Sequence, residues 1–161
     1  MGLTVGFSLQ QFSKVLNVRD VTGQPYLLIG GQAVNYWAEH YLHADPQLEK
    51  LQPFTSEDID FKGSRADVQR IARQLDLNPS YPPKVQMTAL AGFISFQIGD
   101  LKSAIEVVRR IPGVSNAVDT PTVQAEWEGK SIRVLDPISL LACKLDLPRR
   151  CFRKRGATCR I

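Results

Sequence analysis

A chain of 161 residues with 43% hydrophobic and 22% charged residues fits one domain with a single core and excludes disorder, collagen or a coiled coil as an account of the whole. Its formal charge of +4 suggests an acidic partner until that charge is located: residues 1–147 sum to −2, while the six Arg and Lys of residues 148–161, with no acid among them, contribute +6. One domain over 1–147 and a disordered or atypical basic tail over 148–161 are therefore expected.

Ser8 is placed to cap a first helix, with Leu9, Phe12, Val15 and Leu16 at helical spacing, ending before the turn at Asp20–Gly23. Tyr26–Ile29 reads as a short buried strand that runs directly into Gly30-Gly31, and a second helix follows to about His43 with Ala33, Val34, Trp37, Ala38 and Tyr41 on its period. Pro46 and Pro53 punctuate a loop. Glu57–Phe61 is a second strand, with Ile59 and Phe61 on one face and Asp58 and Asp60 on the other. Ser64 opens a third helix with Val68, Ile71, Ala72 and Leu75 as its apolar stripe, and the proline-rich Asn78–Lys84 segment reads as a loop.

Two hairpins come next: Phe93–Ile98 with Ala104–Val108 around Gly99-Asp100, and Val123–Trp127 with Ser131–Leu135 around Glu128-Gly129-Lys130. Asp136-Pro137 then caps a last helix in which Ile138, Leu141 and Leu145 share a face, and Pro148 stops or kinks it. This order predicts an α/β (α+β) domain, a mixed sheet flanked by helices.

Cys143, Cys151 and Cys159 form neither a C-x-x-C pair nor a zinc-site spacing and are read as reduced thiols. Met1–Phe12 lacks the layout of a signal peptide, and the most apolar stretch, Leu27–Val34, is far below the ~20 residues that span a bilayer. A soluble, cytoplasmic protein without membrane partners is expected.

The chemistry concentrates in two segments, Leu27-Leu28-Ile29-Gly30-Gly31-Gln32-Ala33-Val34 and Ser56-Glu57-Asp58-Ile59-Asp60-Phe61. Carboxylates at i and i+2 of a strand project from one face with Cα atoms roughly 6.5–7 Å apart. Like charges so close repel unless a cation lies between them, and hard divalent ions take carboxylate oxygens. Gly-Gly between strand and helix lets backbone approach a phosphate at a helix N-terminus that offers N–H donors. Each feature alone is commonplace, as tight packing or a solvated strand face. Together they describe a nucleoside triphosphate site, because Asp in an otherwise apolar strand opposes local propensity.

These residues resemble the nucleotidyltransferase superfamily, whose signature is a strand ending in Gly-Gly or Gly-Ser, a helix, and a strand carrying Asp-x-Asp or Asp-x-Glu. Ile29–Asn35 with Pro53–Phe61 is similar to small bacterial proteins related to minimal nucleotidyltransferases and to AbiEii-type toxins of toxin–antitoxin systems. The resemblance covers residues 8–147 in element order and implies Mg²⁺-dependent transfer of a nucleoside monophosphate from an NTP to a protein or RNA hydroxyl, with two ions and an antitoxin protein as a partner. It implies that Gly30 and Gly31 hold the triphosphate and that Asp58 and Asp60 bind metal. Glu106, on the strand Ala104–Val108, matches the third carboxylate, one methylene longer than the usual Asp, and would bind metal and accept the acceptor's proton. Gln32 stands where the superfamily often has Ser, as a nucleotide contact, and Lys144 matches a C-terminal-helix lysine that meets the triphosphate.

Two other readings compete with catalysis: a non-catalytic nucleotide- or partner-binding member of the fold, and nucleic-acid binding through the basic tail. Glu39, His40, His43 and Asp45 lack zinc-helix spacing, and neither a P-loop nor a dinucleotide-binding glycine motif is present. Trp37 and Tyr41, four residues apart on a helix, are expected in the core rather than as a base-stacking platform.

Overall fold

The computed structural model describes residues 5–84, 88–115 and 120–154, with side chains through residue 146. It begins with two 3-10 turns, Leu9–Phe12 and Val15–Asn17, where an α-helix is predicted. The physical reason lies in the spacing: buried Leu9, Phe12, Val15 and Val18 recur every third residue, and three residues per turn is the 3-10 repeat. The Ser8 N–H donates to Gln11 Oε1 at 2.9 Å and fixes the first turn.

The strands are β1 (Leu27–Ile29), β2 (Ile59–Lys62), β3 (Pro79–Ser80), β4 (Leu90–Ile98), β5 (Leu101–Val108), β6 (Thr122–Trp127) and β7 (Lys130–Leu135). They form one mixed sheet in the order β3-β4-β5-β2-β1-β7-β6. The helices are α1 (Gly30–His40), α2 (Pro46–Glu49), α3 (Arg65–Leu75) and α4 (Pro137–Lys154). Two elements arise inside predicted loops. Asp45 accepts from the Gln47 N–H at 2.9 Å with Pro46 in the first turn, which starts α2. Pro79 and Ser80 lie at the sheet edge against Ile94 and Phe93, a place where proline's missing N–H costs no ladder bond.

Registers at the centre of the sheet decide what faces what. β2 pairs parallel with β5, setting Asp60 opposite Glu106 and Phe61 opposite Val107, and antiparallel with β1, setting Asp60 opposite Ile29. Alternation then gives one dry face, with Leu28, Ile59, Phe61, Ile105, Val107 and Val134 no more than 2% exposed. Phe12 meets Phe96 of β4 edge-on at 5.9 Å over this face, and Val68, Ile71 and Ala72 of α3 join the same core. The other face carries Asp60 and Glu106.

α4 departs from its predicted packing. Ile138, Leu141 and Leu145 are 80%, 60% and 61% exposed, and Leu140 and Cys143 are buried instead. The helix is apolar on more than one side, and its contact with α1 selects the side that is covered. α4 also runs past Pro148, whose φ is compatible with a helix and whose ring removes one backbone bond. Residues 148–154 of the predicted tail thus continue this helix, and 155–161 lie outside the described residues, as do the side chains of Cys151 and Cys159. No helix among the described residues is long and apolar enough to cross a membrane.

Candidate active site

β1 ends at Ile29 and the chain turns into α1 through Gly30, which takes φ +66°, a left-handed value that glycine adopts without strain. A Cβ at Gly30 would overlap the Asp60 carboxylate, and one at Gly31 would overlap the Ser56 hydroxyl. The two glycines therefore make room for the protein's own polar groups, whereas sequence alone points only to room for a phosphate. Ile29, before the first turn of α1, has no side chain that can cap it, and the Gly31 N–H faces the Asp60 carboxylate and favours its charged form.

Asp58 immediately precedes β2, Asp60 lies within it and Glu106 lies across the ladder on β5. Carboxylate oxygens of all three fall within 4.8 Å of one another. All three residues are partly buried. Ser56 donates to Asp58 Oδ1 at 3.5 Å, and buried Ser103 of β5 donates to the Glu57 carbonyl at 2.8 Å, pinning the chain just before Asp58.

This crowding has an electrostatic consequence. Asp60 is pushed up to about 7, first by burial and then by the charges of Asp58 and Glu106, while Lys144 and the Gly31 N–H act in the opposite direction. Glu106 is also raised, by burial and then by Asp58. Close carboxylates in a half-buried site resist ionising together, and a divalent cation removes that resistance. The hard oxygen donor set and its compact spacing fit such an ion.

No protein-family model matches the sequence, and no curated protein matches it. Among solved structures, it is similar to the crystal structure of a candidate nucleotidyltransferase from Thermotoga maritima, with a TM-score of 0.58 and 15% identity over 91% of this chain and 88% of that one. The chain has a nucleotidyltransferase-like fold.

Within this nucleotidyltransferase-like fold, the expected site residues divide. Gly30, Gly31, Asp58, Asp60 and Glu106 converge, and exposed Lys144 on α4 lies close enough to Asp60 to act on its charge. Gln32 does not join them. It has no exposed surface: its Nε2 donates to the Phe7 carbonyl at 2.9 Å and its Oε1 accepts from Asn35 at 3.1 Å. Phe7 in turn pairs with Ser56 through two backbone bonds, so Gln32 ties α1 to the segment that leads into Asp58. It positions the site without lining it.

Trp37 and Tyr41 stack at 5.8 Å, but Tyr41 is 46% exposed, not in the core; Trp37 donates from Nε1 to the Leu135 carbonyl at 2.8 Å. Asp45 is occupied as the cap of α2. Ser103 and Ser56 are the positioning residues that motif spacing missed. Lys62 was also missed, although alternation two residues beyond Asp60 puts it on the same face.

Proposed function

We propose that this protein is a nucleotidyltransferase that moves a nucleoside monophosphate from an NTP to a hydroxyl of a protein or RNA acceptor. The observation that carries the reading is the convergence of Asp58, Asp60 and Glu106 within 4.8 Å beside the helix N-terminus at Gly30-Gly31. The triphosphate lies against the first turn of α1, where backbone N–H groups and the helix dipole favour anions, with Lys144 approaching from α4. Mg²⁺ held by Asp58, Asp60 and Glu106 supplies charge neutralisation for the triphosphate and the transferring phosphoryl group.

In the transfer, the acceptor oxygen forms a bond to the α-phosphorus as the bond from that phosphorus to the bridging α–β oxygen breaks. Pyrophosphate leaves with the bonding pair. Glu106 accepts the hydroxyl proton. Asp60 must be ionised to hold a cation, so activity rises with pH through its titration. A cytoplasmic toxin of a bacterial toxin–antitoxin pair, neutralised by an antitoxin protein, is the setting that the superfamily resemblance suggests.

Incubation with Mg²⁺ and each labelled NTP tests the reading, with Asp58→Ala/Asp60→Ala as the control. Label transferred equally by the double variant defeats the site assignment. The withdrawal of Gln32 into the core favours one alternative, a non-catalytic nucleotide-binding protein. Calorimetry separates the two: Mg²⁺-dependent NTP binding without turnover supports that alternative, and any turnover that the double variant loses excludes it.

A further inference from the structure

The acid cluster takes up one end of a sheet face. From Asp60, alternation leads two residues along β2 to Lys62, roughly 6.5–7 Å away between Cα atoms, beside Leu27 of β1 and Val108 of β5. Lys62 lines a cavity of about 610 Å³ that has no part in the NTP site described above. Its wall follows the sheet order: Arg109 just after β5, Lys62 on β2, Leu27 on β1, Arg133 on β7 and Thr122 on β6. At the usual spacing of adjacent strands the cavity extends about 19 Å across the sheet.

The sign of this region is opposite to that of the acid cluster. Lys62 Nζ donates to the Thr120 hydroxyl at 3.2 Å, and Arg109 donates to the Leu90 carbonyl at 2.8 Å. Among the described residues neither has a carboxylate within ion-pair distance, and Arg133 meets Asp20 only at 4.0 Å. The other acid of the lining, Asp67, is engaged by Arg70 at 2.7 Å and by the Ser64 N–H at 2.8 Å. Arg109 and Lys62 on one side of Leu27 and Arg133 on the other, with the Thr120 and Thr122 hydroxyls in the same wall, complement a run of spaced anions.

We propose that this cavity binds the phosphate backbone of a single-stranded RNA acceptor, whose terminal hydroxyl reaches the acid cluster. The proposal rests on the transferase reading and names its acceptor. A phosphodiester held at Lys62 stands about one nucleotide back from the reacting end. A protein acceptor brings its hydroxyl without a comparable run of charge to complement Lys62, Arg109 and Arg133. The basic tail attracts phosphates as well, but a substitution at Lys62 leaves its charge unchanged.

Fluorescence anisotropy of the full chain with an end-labelled single-stranded RNA octamer, free at its 3′-hydroxyl and in the presence of a chelator, tests the idea. Lys62→Gln/Arg133→Gln is expected to weaken binding about tenfold and to reduce the slope of log affinity against log salt by about 0.7 for each lost phosphate contact. Lys62→Gln alone is expected to show half of the slope change with an unaltered thermal melt, which separates lost contacts from lost folding. Unchanged RNA affinity and slope in folded variants overturn the proposal. So does the absence of RNA binding together with a labelled Ser- or Tyr-containing peptide whose affinity falls in the double variant. Calorimetric binding of Mg²⁺·NTP is expected to be the same in wild type and both variants; its absence from all three defeats the transferase reading and leaves the RNA result readable.

Discussion

The two faces of β2 and β5 are built from alternate residues of the same few positions, yet they obey opposite rules. On one face Ile59, Phe61, Ile105 and Val107 are no more than 2% exposed and lock the strands in register. On the other, Asp60 and Glu106 sit opposite each other with Asp58 beside them, an arrangement that works against folding until a cation is supplied. The dry face holds the acidic one in place: register set by apolar burial brings together carboxylates that would otherwise move apart. Stability and chemistry are thus separable here by face, and substitutions on each face should differ in sign.

The largest expected effect lies on the acidic face. Asp58→Ala/Asp60→Ala should reduce NTP-dependent labelling by about a thousandfold or more while leaving the metal-free protein at least as stable, measured by labelled transfer alongside thermal melting. A double variant that melts well below wild type would break the comparison. On the dry face, Ile105→Ala should cost about 2–5 kcal/mol in urea denaturation through the cavity it leaves. It should lower activity only as far as it lowers the folded fraction, and a large loss of turnover in fully folded protein would contradict the division of labour.

A smaller effect follows from Asp60. Its pKa, about 7, is above the ordinary value of 3.8, so between those limits the native protein keeps a proton that the unfolded chain has lost. Stability of the metal-free protein therefore falls as pH rises from about 4 to about 7, on the order of 3 kcal/mol in all for a group that keeps some exposure. Asp60→Asn should flatten that fall in melts taken across pH. Added Mg²⁺ should raise the wild-type melting temperature most above pH 7, where the carboxylate is ionised. The smallest change concerns Gln32→Ala, expected to cost about 1–3 kcal/mol by removing the side-chain partner of the Asn35 amide and one of the two N–H groups on the Phe7 carbonyl. The affinity of the folded variant for Mg²⁺·NTP should change little; calorimetry showing a selective loss of nucleotide affinity would return Gln32 to the binding surface.

Local pattern made part of this site readable in advance. Asp58 and Asp60 stand out because strand alternation puts both on one face of an apolar strand, and Gly30-Gly31 stand out because a strand meets a helix there without room for a side chain. The three-residue recurrence of Leu9, Phe12, Val15 and Val18 was equally present in the sequence and admits a 3-10 path, although buried Leu16 fits an α-helical repeat as well. Lys62 follows from the same alternation that finds Asp60.

Other features depend on which elements become neighbours. Only the parallel register of β2 on β5 sets Glu106 opposite Asp60, and only the packing of α4 on α1 buries Leu140 in place of Ile138, Leu141 and Leu145. Gln32 has the composition of a polar site residue; tertiary structure turns it inward, because the N-terminal segment brings the Phe7 carbonyl to it as a buried acceptor. The row of cations across β5, β2, β1 and β7 likewise exists only once distant strands lie side by side. Alternation within each strand is a property of neighbouring residues and is legible before any fold is known. Tertiary structure decided register and contact between elements, because those depend on burying one shared core.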